Sequence, residues 1–412
     1  MSEQTHQKYP PSVQHGIPRL SPAQKGWKSV AIGKLVAEVV RPVEMGDDEI
    51  YTLVTAKRSR GGIVKREDLQ GREIAVKNQF YIQAGDFIIS KRQIVHGACG
   101  FVPKELDGAI VSNEYLALNF TDKVIPQFWE FLTHTIYFQQ VCFHSSIGVH
   151  VEKMLFKVPR WYQWTVNIPT LKEQEKIASF LGTIDIRLTQ LRRKHELLQT
   201  YKRGVMQKIF SQQIRFKGDD GKSFPEWEEK KLGRITKIYD GTHQTPTYVK
   251  EGIPFYSVEH LTANNFIDTK FISEEVFLQE QNRVRLERND ILMTRIGDIG
   301  TCRLVDWDAK ASFYVSLALI KANKSTLSDF LVYSMSSIQF QRELHKRTIH
   351  VAFPKKINLG EIGNCRILFP SIKEQEKIAD LLTAIDQKIE AVTQQIDRTG
   401  RFKKGLLQKM FV

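Results

Sequence analysis

The sequence predicts an α+β protein: two mixed α/β domains in pseudo-repeat, each followed by a long helix, with the two helices pairing along their apolar seams. Three observations carry this expectation. A 42-residue helical segment is written twice, 201 residues apart. The stretches between the copies hold short β-rich runs bounded by Gly, Asn and Asp. The chain of 412 residues is long enough for several compact units.

The repeat is explicit. Pro169-Thr-Leu-Lys-Glu-Gln-Glu-Lys-Ile-Ala178 returns as Pro370-Ser-Ile-Lys-Glu-Gln-Glu-Lys-Ile-Ala379, and the match runs gapless to Phe210 and Phe411 with 16 identities in 42 positions. Outside it, Trp27 and Gly33 find counterparts in Trp227 and Gly233, Gly85–Ser90 resembles Asn289–Thr294, and Leu116-Ala-Leu118 matches Leu317-Ala-Leu319. A period near 200 is too long for a solenoid repeat and reads as two domain copies. The expected layout is a first domain over 1–168 with a polar tail at 1–20, a helix over 169–212, a second domain over 213–369 and a second helix over 370–412.

Thr170-x-x-Glu173 and Ser371-x-x-Glu374 have the spacing of capping boxes. Apolar residues then recur at alternating four- and three-residue steps: Ile177, Leu181, Ile184, Leu188, Leu191, Leu198, Val205 and Ile209, and in the second copy Ile378, Leu382, Ile385, Ile389, Val392, Ile396, Leu406 and Met410. His195, Lys202, Thr399 and Lys403 interrupt what is otherwise a coiled-coil seam. Two matching seams in one chain can bury each other. At 1.5 Å per residue each helix spans ~60 Å. Gly204 and Gly405, equivalent inside both patterns, mark a kink, a frayed end or close packing.

Between the helices, Asp86–Ser90, Ile291–Thr294 and Phe313–Ile320 read as strands, and Val124–Leu132 and Leu327–His345 as helices.

Composition narrows the function classes. The formal charge of +14 and a pI near 9.4 favour an anionic partner, nucleic acid first and membrane surface second. No run approaches 18 apolar residues, the N-terminus lacks an apolar core, and the four cysteines form no CxxC pair. A cytoplasmic protein is expected. Catalytic motifs are missing: no HExxH or paired CxxC for a metal, no GxxxxGK[ST] for a nucleotide, no GxSxG elbow, and no Asn/Asp-Pro-Pro-aromatic sequence for adenine methylation.

The helices account for +5 and +2 of the charge, so the rest lies in the domains and tail. In the first domain Lys57, Arg58 and Arg60 share a glycine-bearing turn, and Lys91, Arg92 and Gln93 follow a strand. In the second, Asp240-Gly-Thr-His-Gln244 offers Thr242, His243 and Gln244, the loop Thr294–Asp298 offers Arg295, and Lys355 and Lys356 follow a proline. Such residues bond phosphates or base edges, although each is equally at home in a solvated loop.

The order of domain, Pro-x-x-Lys-Glu-Gln-x-Lys-Ile-Ala helix, domain and second such helix resembles the specificity subunit of type I restriction–modification systems. The helix ends Arg203–Phe210 and Lys404–Phe411, Trp227-x-x-x-x-Leu-Gly233, and the Asp240-Gly-Thr-His turn with Pro246 beyond it carry the same resemblance. It implies two target-recognition domains, each reading half of a bipartite asymmetric site in double-stranded DNA. It also implies that the helices pair antiparallel, set the gap between half-sites and dock two methyltransferase subunits. Restriction subunits would complete the complex. This chain is then expected to bind no cofactor and no metal, with S-adenosylmethionine, ATP and Mg on the partner subunits. The alternative reading is a coiled-coil adaptor or scaffold without sequence-specific DNA reading.

Overall fold

The computed structural model of the chain describes residues 9–281 and 283–411, so the first eight residues of the expected polar tail lie outside the described residues. The chain divides into two compact units, Met1–Leu191 with Gln395–Val412, and Arg192–Gln394. Both long helices are therefore shared between units: each unit holds one domain, one end of the first helix (Leu171–Phe210) and the opposite end of the second (Ile372–Phe411). The helices pair antiparallel as a coiled coil.

In the first unit, Lys28–Ala31 pairs antiparallel with Thr165–Ile168, tying the start of the domain to its end. A four-stranded antiparallel sheet follows in the order Val36–Glu38, Tyr115–Phe120, Phe87–Ser90, Cys99–Phe101. A second sheet runs Ile63–Gln70, Ile50–Ala56, Ile110–Ser112, Gln79–Tyr81 and contains one parallel pairing, Leu53 with Ile110. Helices Pro126–Thr133 and Ile136–His144 cover the first sheet, the second capped by the Thr135 hydroxyl. Their buried Phe128, Trp129 and Phe138 pack with Phe87 and Trp161 in one aromatic core. Burial of such rings is the main apolar term holding the domain.

The second unit repeats this frame. Glu228–Lys231 pairs with Arg366–Phe369, and the four-stranded sheet runs Thr236–Asp240, Leu317–Ala322, Ile291–Thr294, Cys302–Leu304. A smaller sheet of Lys270–Ile272, Ile253–Tyr256 and Ser312–Phe313 replaces the long hairpin of the first unit.

Two expected elements divide in two. The apolar run Phe313–Ile320 is not one strand. Its first residue ends Ser312–Phe313 in the small sheet, a turn closes with Leu317 N–H on the Tyr314 carbonyl, and Leu317–Ala322 continues in the large sheet. The helix expected over Leu327–His345 breaks into Ser328–Met335 and Ile338–Arg347, because the Ser337 hydroxyl accepts the Phe340 N–H and starts a new helix. Gly204 and Gly405 do not end a helix. Both lie inside continuous helices, and a Cβ at either would meet only open space.

The capping boxes also do not form. The first-turn N–H groups close on the Thr170 and Ser371 carbonyls, while the glutamates turn to the tryptophans that open the domains. The Trp27 indole donates to Glu173 Oε1 at 3.0 Å, and the Trp227 indole to Glu374 Oε2 at 2.9 Å, where Arg215 adds a salt bridge at 3.0 Å. The next residue plugs another helix start. Gln174 accepts the Ile125 N–H and Gln375 the Leu327 N–H, both at 2.9 Å, at residues preceding Pro126–Thr133 and Ser328–Met335. The repeated Lys-Glu-Gln therefore locks each helix to its domain.

The seam explains its own interruptions. Ile177, Leu181, Leu188, Leu191, Ile378, Leu382, Ile385 and Val392 are buried, with Ile184, Leu198, Ile389 and Ile396 partly so. In the first unit, Lys403 bonds Asp185 at 2.6 Å and lies 5.3 Å from the Phe131 ring. In the second, Lys202 bonds Asp386 at 2.6 Å and lies 5.1 Å from the Tyr333 ring. The two lysines that break the apolar pattern are thus equivalent charges, each neutralised by the opposing helix and roofed by an aromatic ring.

Candidate nucleic-acid interface

The expected contact residues gather around one backbone tether in each unit. Lys91 follows the strand Phe87–Ser90, and its N–H donates to the Glu114 carbonyl at 2.8 Å while its own carbonyl accepts the Phe156 N–H at 2.9 Å. Its ammonium donates to the Asn113 carbonyl at 2.9 Å. Arg295 stands in the same place after Ile291–Thr294. Its N–H donates to the Ser316 carbonyl at 2.9 Å, its carbonyl accepts the Ile357 N–H at 3.0 Å, and its guanidinium donates to the Val315 carbonyl at 2.7 Å. A single cation in each unit therefore ties two separate segments to the end of the sheet with at least three bonds. Arg295 is only 9% exposed, and burial pushes its pKa down.

In the first unit the turns carrying Lys57–Arg60 and Lys91–Gln93 are brought together. The Ser59 N–H bonds the His96 carbonyl at 2.7 Å, and the Arg60 N–H the Gly97 carbonyl at 2.9 Å. The Arg58 guanidinium donates to Gln93 Oε1 at 2.9 Å and pairs with Glu152 at 2.6 Å, half exposed. Arg92 pairs with Glu114 at 2.7 Å. Exposed pairs of this kind contribute about 0–1 kcal/mol and can be exchanged for phosphate or base contacts. Arg60 is committed elsewhere: its Nε donates to the Thr133 carbonyl at 2.7 Å, its backbone takes a positive φ of 59°, and burial lowers its pKa. Lys57 is exposed. Buried His96 bonds the Ser12 hydroxyl at 2.8 Å, and burial and then Arg58 push its pKa down while Glu152 opposes them.

In the second unit the Asp240-Gly-Thr-His-Gln turn lies against Phe313–Val315. The Thr242 N–H donates to the Phe313 carbonyl at 3.0 Å, and the Thr242 carbonyl accepts the Val315 N–H at 2.9 Å. Only glycine fits before it, since a Cβ on Gly241 would lie 2.1 Å from the Phe313 carbonyl oxygen. Thr242 is buried, whereas His243 and Gln244 are exposed. His243 Nε2 stands 2.6 Å from Asp240, and Arg283 pairs with the same carboxylate. Burial would raise the Asp240 pKa, but His243 and Arg283 hold it below the ordinary range. The Lys355 carbonyl accepts the Gly297 N–H and the Lys356 carbonyl the Ile349 N–H, both at 2.8 Å, leaving both ammonium groups exposed.

The tether, Arg283 and Glu152 were missed by sequence reasoning. The first was detectable, because Lys91 and Arg295 each follow the matched strand ends. Arg283 and Glu152 come from loops that share no pattern between halves.

The solvent face of the helices differs from the seam. Phe180, Ile186 and Phe402 in the first unit, and Leu197 and Tyr201 in the second, are each at least 50% exposed. The seam residues named for partner docking are buried or half-buried, whereas these five side chains face outward.

A DNA specificity domain model of type I restriction–modification matches residues 225–398. The MjaVIII specificity subunit of a type I restriction enzyme, from Methanocaldococcus jannaschii, is 25% identical over 92% of this chain and 91% of that protein. Over nearly its whole length the chain is thus similar to type I restriction–modification specificity subunits. The EcoBI specificity subunit of Escherichia coli is 24% identical over 59% of this chain and 57% of its own. Solved specificity subunits share the fold. The HsdS subunit of Thermoanaerobacter tengcongensis aligns with a TM-score of 0.53 at 19% identity, over 94% of this chain and 97% of that one. A chain from a type I system structure aligns with a TM-score of 0.61 at 18% identity, covering 94% of this chain and 98% of that chain. In this chain the unlike polar loops of the two units hang from a common tether.

Proposed function

We propose that this chain is the DNA-reading, non-catalytic subunit of a type I restriction–modification complex, with each domain reading one half of a bipartite asymmetric site. The observation that carries this reading is the twice-built tether, Lys91 and Arg295, which holds unlike polar loops on like frames. Two domains with one scaffold and different loops suit a target with two different halves. The outward apolar residues of the helices dock two methyltransferase subunits, and the continuous helices set the gap between half-sites. S-adenosylmethionine chemistry belongs to the methyltransferase subunits, and ATP- and Mg-dependent restriction to the restriction subunits; this chain supplies no cofactor or metal site. The complex works in the cytoplasm. Among the described residues, no helix is long and apolar enough to cross a membrane, and no cluster of His, Cys, Asp and Glu could hold a metal.

The test is single-molecule methylation mapping of the host genome with and without this gene. Loss of adenine methylation at one split, asymmetric motif is the expected result; an unchanged methylome would leave the adaptor role. Within an active complex, R58A should relax the first half-site alone and H243A with Q244A the second alone, by about 1–3 kcal/mol for each lost base contact.

A further inference from the structure

Each unit carries a hairpin tip of the same construction that none of the loops above explains. In the first unit Ser146–Ile147 pairs with Leu155–Phe156, Ile147 facing Leu155. In the second a single bridge joins Ile349 to Lys356. Both hairpins leave from the tether, since Phe156 bonds the Lys91 carbonyl and Ile357 the Arg295 carbonyl. Both end in apolar side chains aimed at solvent: Val149 is 89% exposed, Val351 96% and Phe353 104%. A side chain that open contributes nothing to the packing of its own domain.

The surroundings of the tip are cationic. Lys153 follows the first tip, and Lys355 and Lys356 follow the second; all three are exposed and none forms an ion pair among the described residues. The acids nearest in the chain fold are occupied, Glu152 by Arg58 and Asp298 by the Thr294 hydroxyl. An apolar tip of one or two side chains, followed by unpaired lysines, complements a duplex groove, whose walls are anionic and whose floor is made of stacked base edges.

On the reading that each domain binds half of a DNA site, we propose that Val351 and Phe353 form a wedge. It enters a groove of the second half-site and loosens one base step, while Lys355 and Lys356 hold the flanking phosphates. The Ile147–Val149 tip touches the first half-site without a ring to insert, so it does not unstack it.

The experiment uses the assembled complex with its methyltransferase subunits and duplexes carrying 2-aminopurine at successive positions through both half-sites. Fluorescence should rise at one step of the second half-site only. F353A should abolish the rise and weaken specific binding about tenfold, equivalent to about 1.4 kcal/mol. K355A with K356A should lower the salt dependence of binding, as lost phosphate contacts do. Because Phe353 is fully exposed, F353A is expected to leave assembly and thermal stability unchanged, and both are measured first. No fluorescence rise at any position, with binding untouched by F353A, would overturn the wedge. So would loss of methyltransferase assembly by F353A in the absence of DNA, which would make the tip a protein contact. Failure of the wild-type complex to prefer its methylated motif over a scrambled duplex would instead sink the reading of the chain as a specificity subunit.

Discussion

The two units solve one problem twice with different loops. Trp27, Phe128 and Phe411 form the junction of helix and domain in the first, and Trp227, Phe330 and Phe210 in the second. Asp185 with Lys403 answers Asp386 with Lys202, and Lys91 answers Arg295. By contrast, the long hairpin Ile50–Gln70 is answered only by the short pair Ile253–Tyr256 and Lys270–Ile272, beside which the second unit adds two short helices, Val258–Ala263 and Glu274–Gln281. What is repeated is the attachment of loops to frame and of frame to helix. What differs is the part presented to a partner. Selection for new specificity can therefore change loops without disturbing how the frame is held.

The largest effect is expected at the aromatic junctions. F411A should destabilise the first unit and F210A the second, each by about 3–5 kcal/mol, because a buried ring leaves a cavity. Hydrogen exchange resolved along the chain should show the loss confined to one unit in each case, and equal losses in both units would break the equivalence.

Acid should separate the units next. His134 lies beside Arg60, Lys403 and Asp185, and burial followed by the two cations pushes its pKa down to about 4. The unfolded value is about 6.5. The neutral form therefore contributes stability that is fully present above pH 6.5 and is lost as the pH falls toward 4, on the order of 3 kcal/mol. The second unit has Ser336 at the corresponding place. Unfolding followed from pH 7 to pH 4.5 should lower the first unit preferentially, and H134Q should flatten that slope.

The charge pairs should differ by a smaller amount. Asp386 also accepts the Tyr333 hydroxyl at 2.8 Å, whereas Asp185 faces Phe131, which has none. D386A is expected to cost about 2 kcal/mol and D185A about 1 kcal/mol, with the usual discount for partly exposed pairs. Urea denaturation of the two variants checks the order, and D185A costing more would reverse the assignment. Smallest of all, G204A and G405A should each stabilise by about 0.5–1 kcal/mol, since both glycines are mid-helix with open space around them.

The repeat made much of this legible beforehand. Helix limits, the seam and the strands Phe87–Ser90 and Ile291–Thr294 follow from periodicity, because a long helix or buried strand must keep its spacing. The break at Ser337 and the division of Phe313–Ile320 were not legible. A hydroxyl cap and a strand that changes sheets depend on neighbours far along the chain. The candidate loops were found by residue type, but type does not say which cation is exposed: Arg58 and Lys355 reach solvent while Arg60 and Arg295 bond main-chain carbonyls. The glutamates of Lys-Glu-Gln fit a local capping rule until Trp27 and Trp227 are seen to claim them.

The sharing of both helices between units sets an order of events during synthesis. The second unit is one continuous stretch, Arg192–Gln394, and has all its parts once Gln394 has left the ribosome. The first unit begins with residues made before that stretch, yet its core waits for Leu407 and Phe411, made after it. The domain translated first is thus completed last. Until then Phe128, Ile177 and Leu181 stand uncovered on the nascent chain, an interval in which apolar surface invites aggregation or a chaperone.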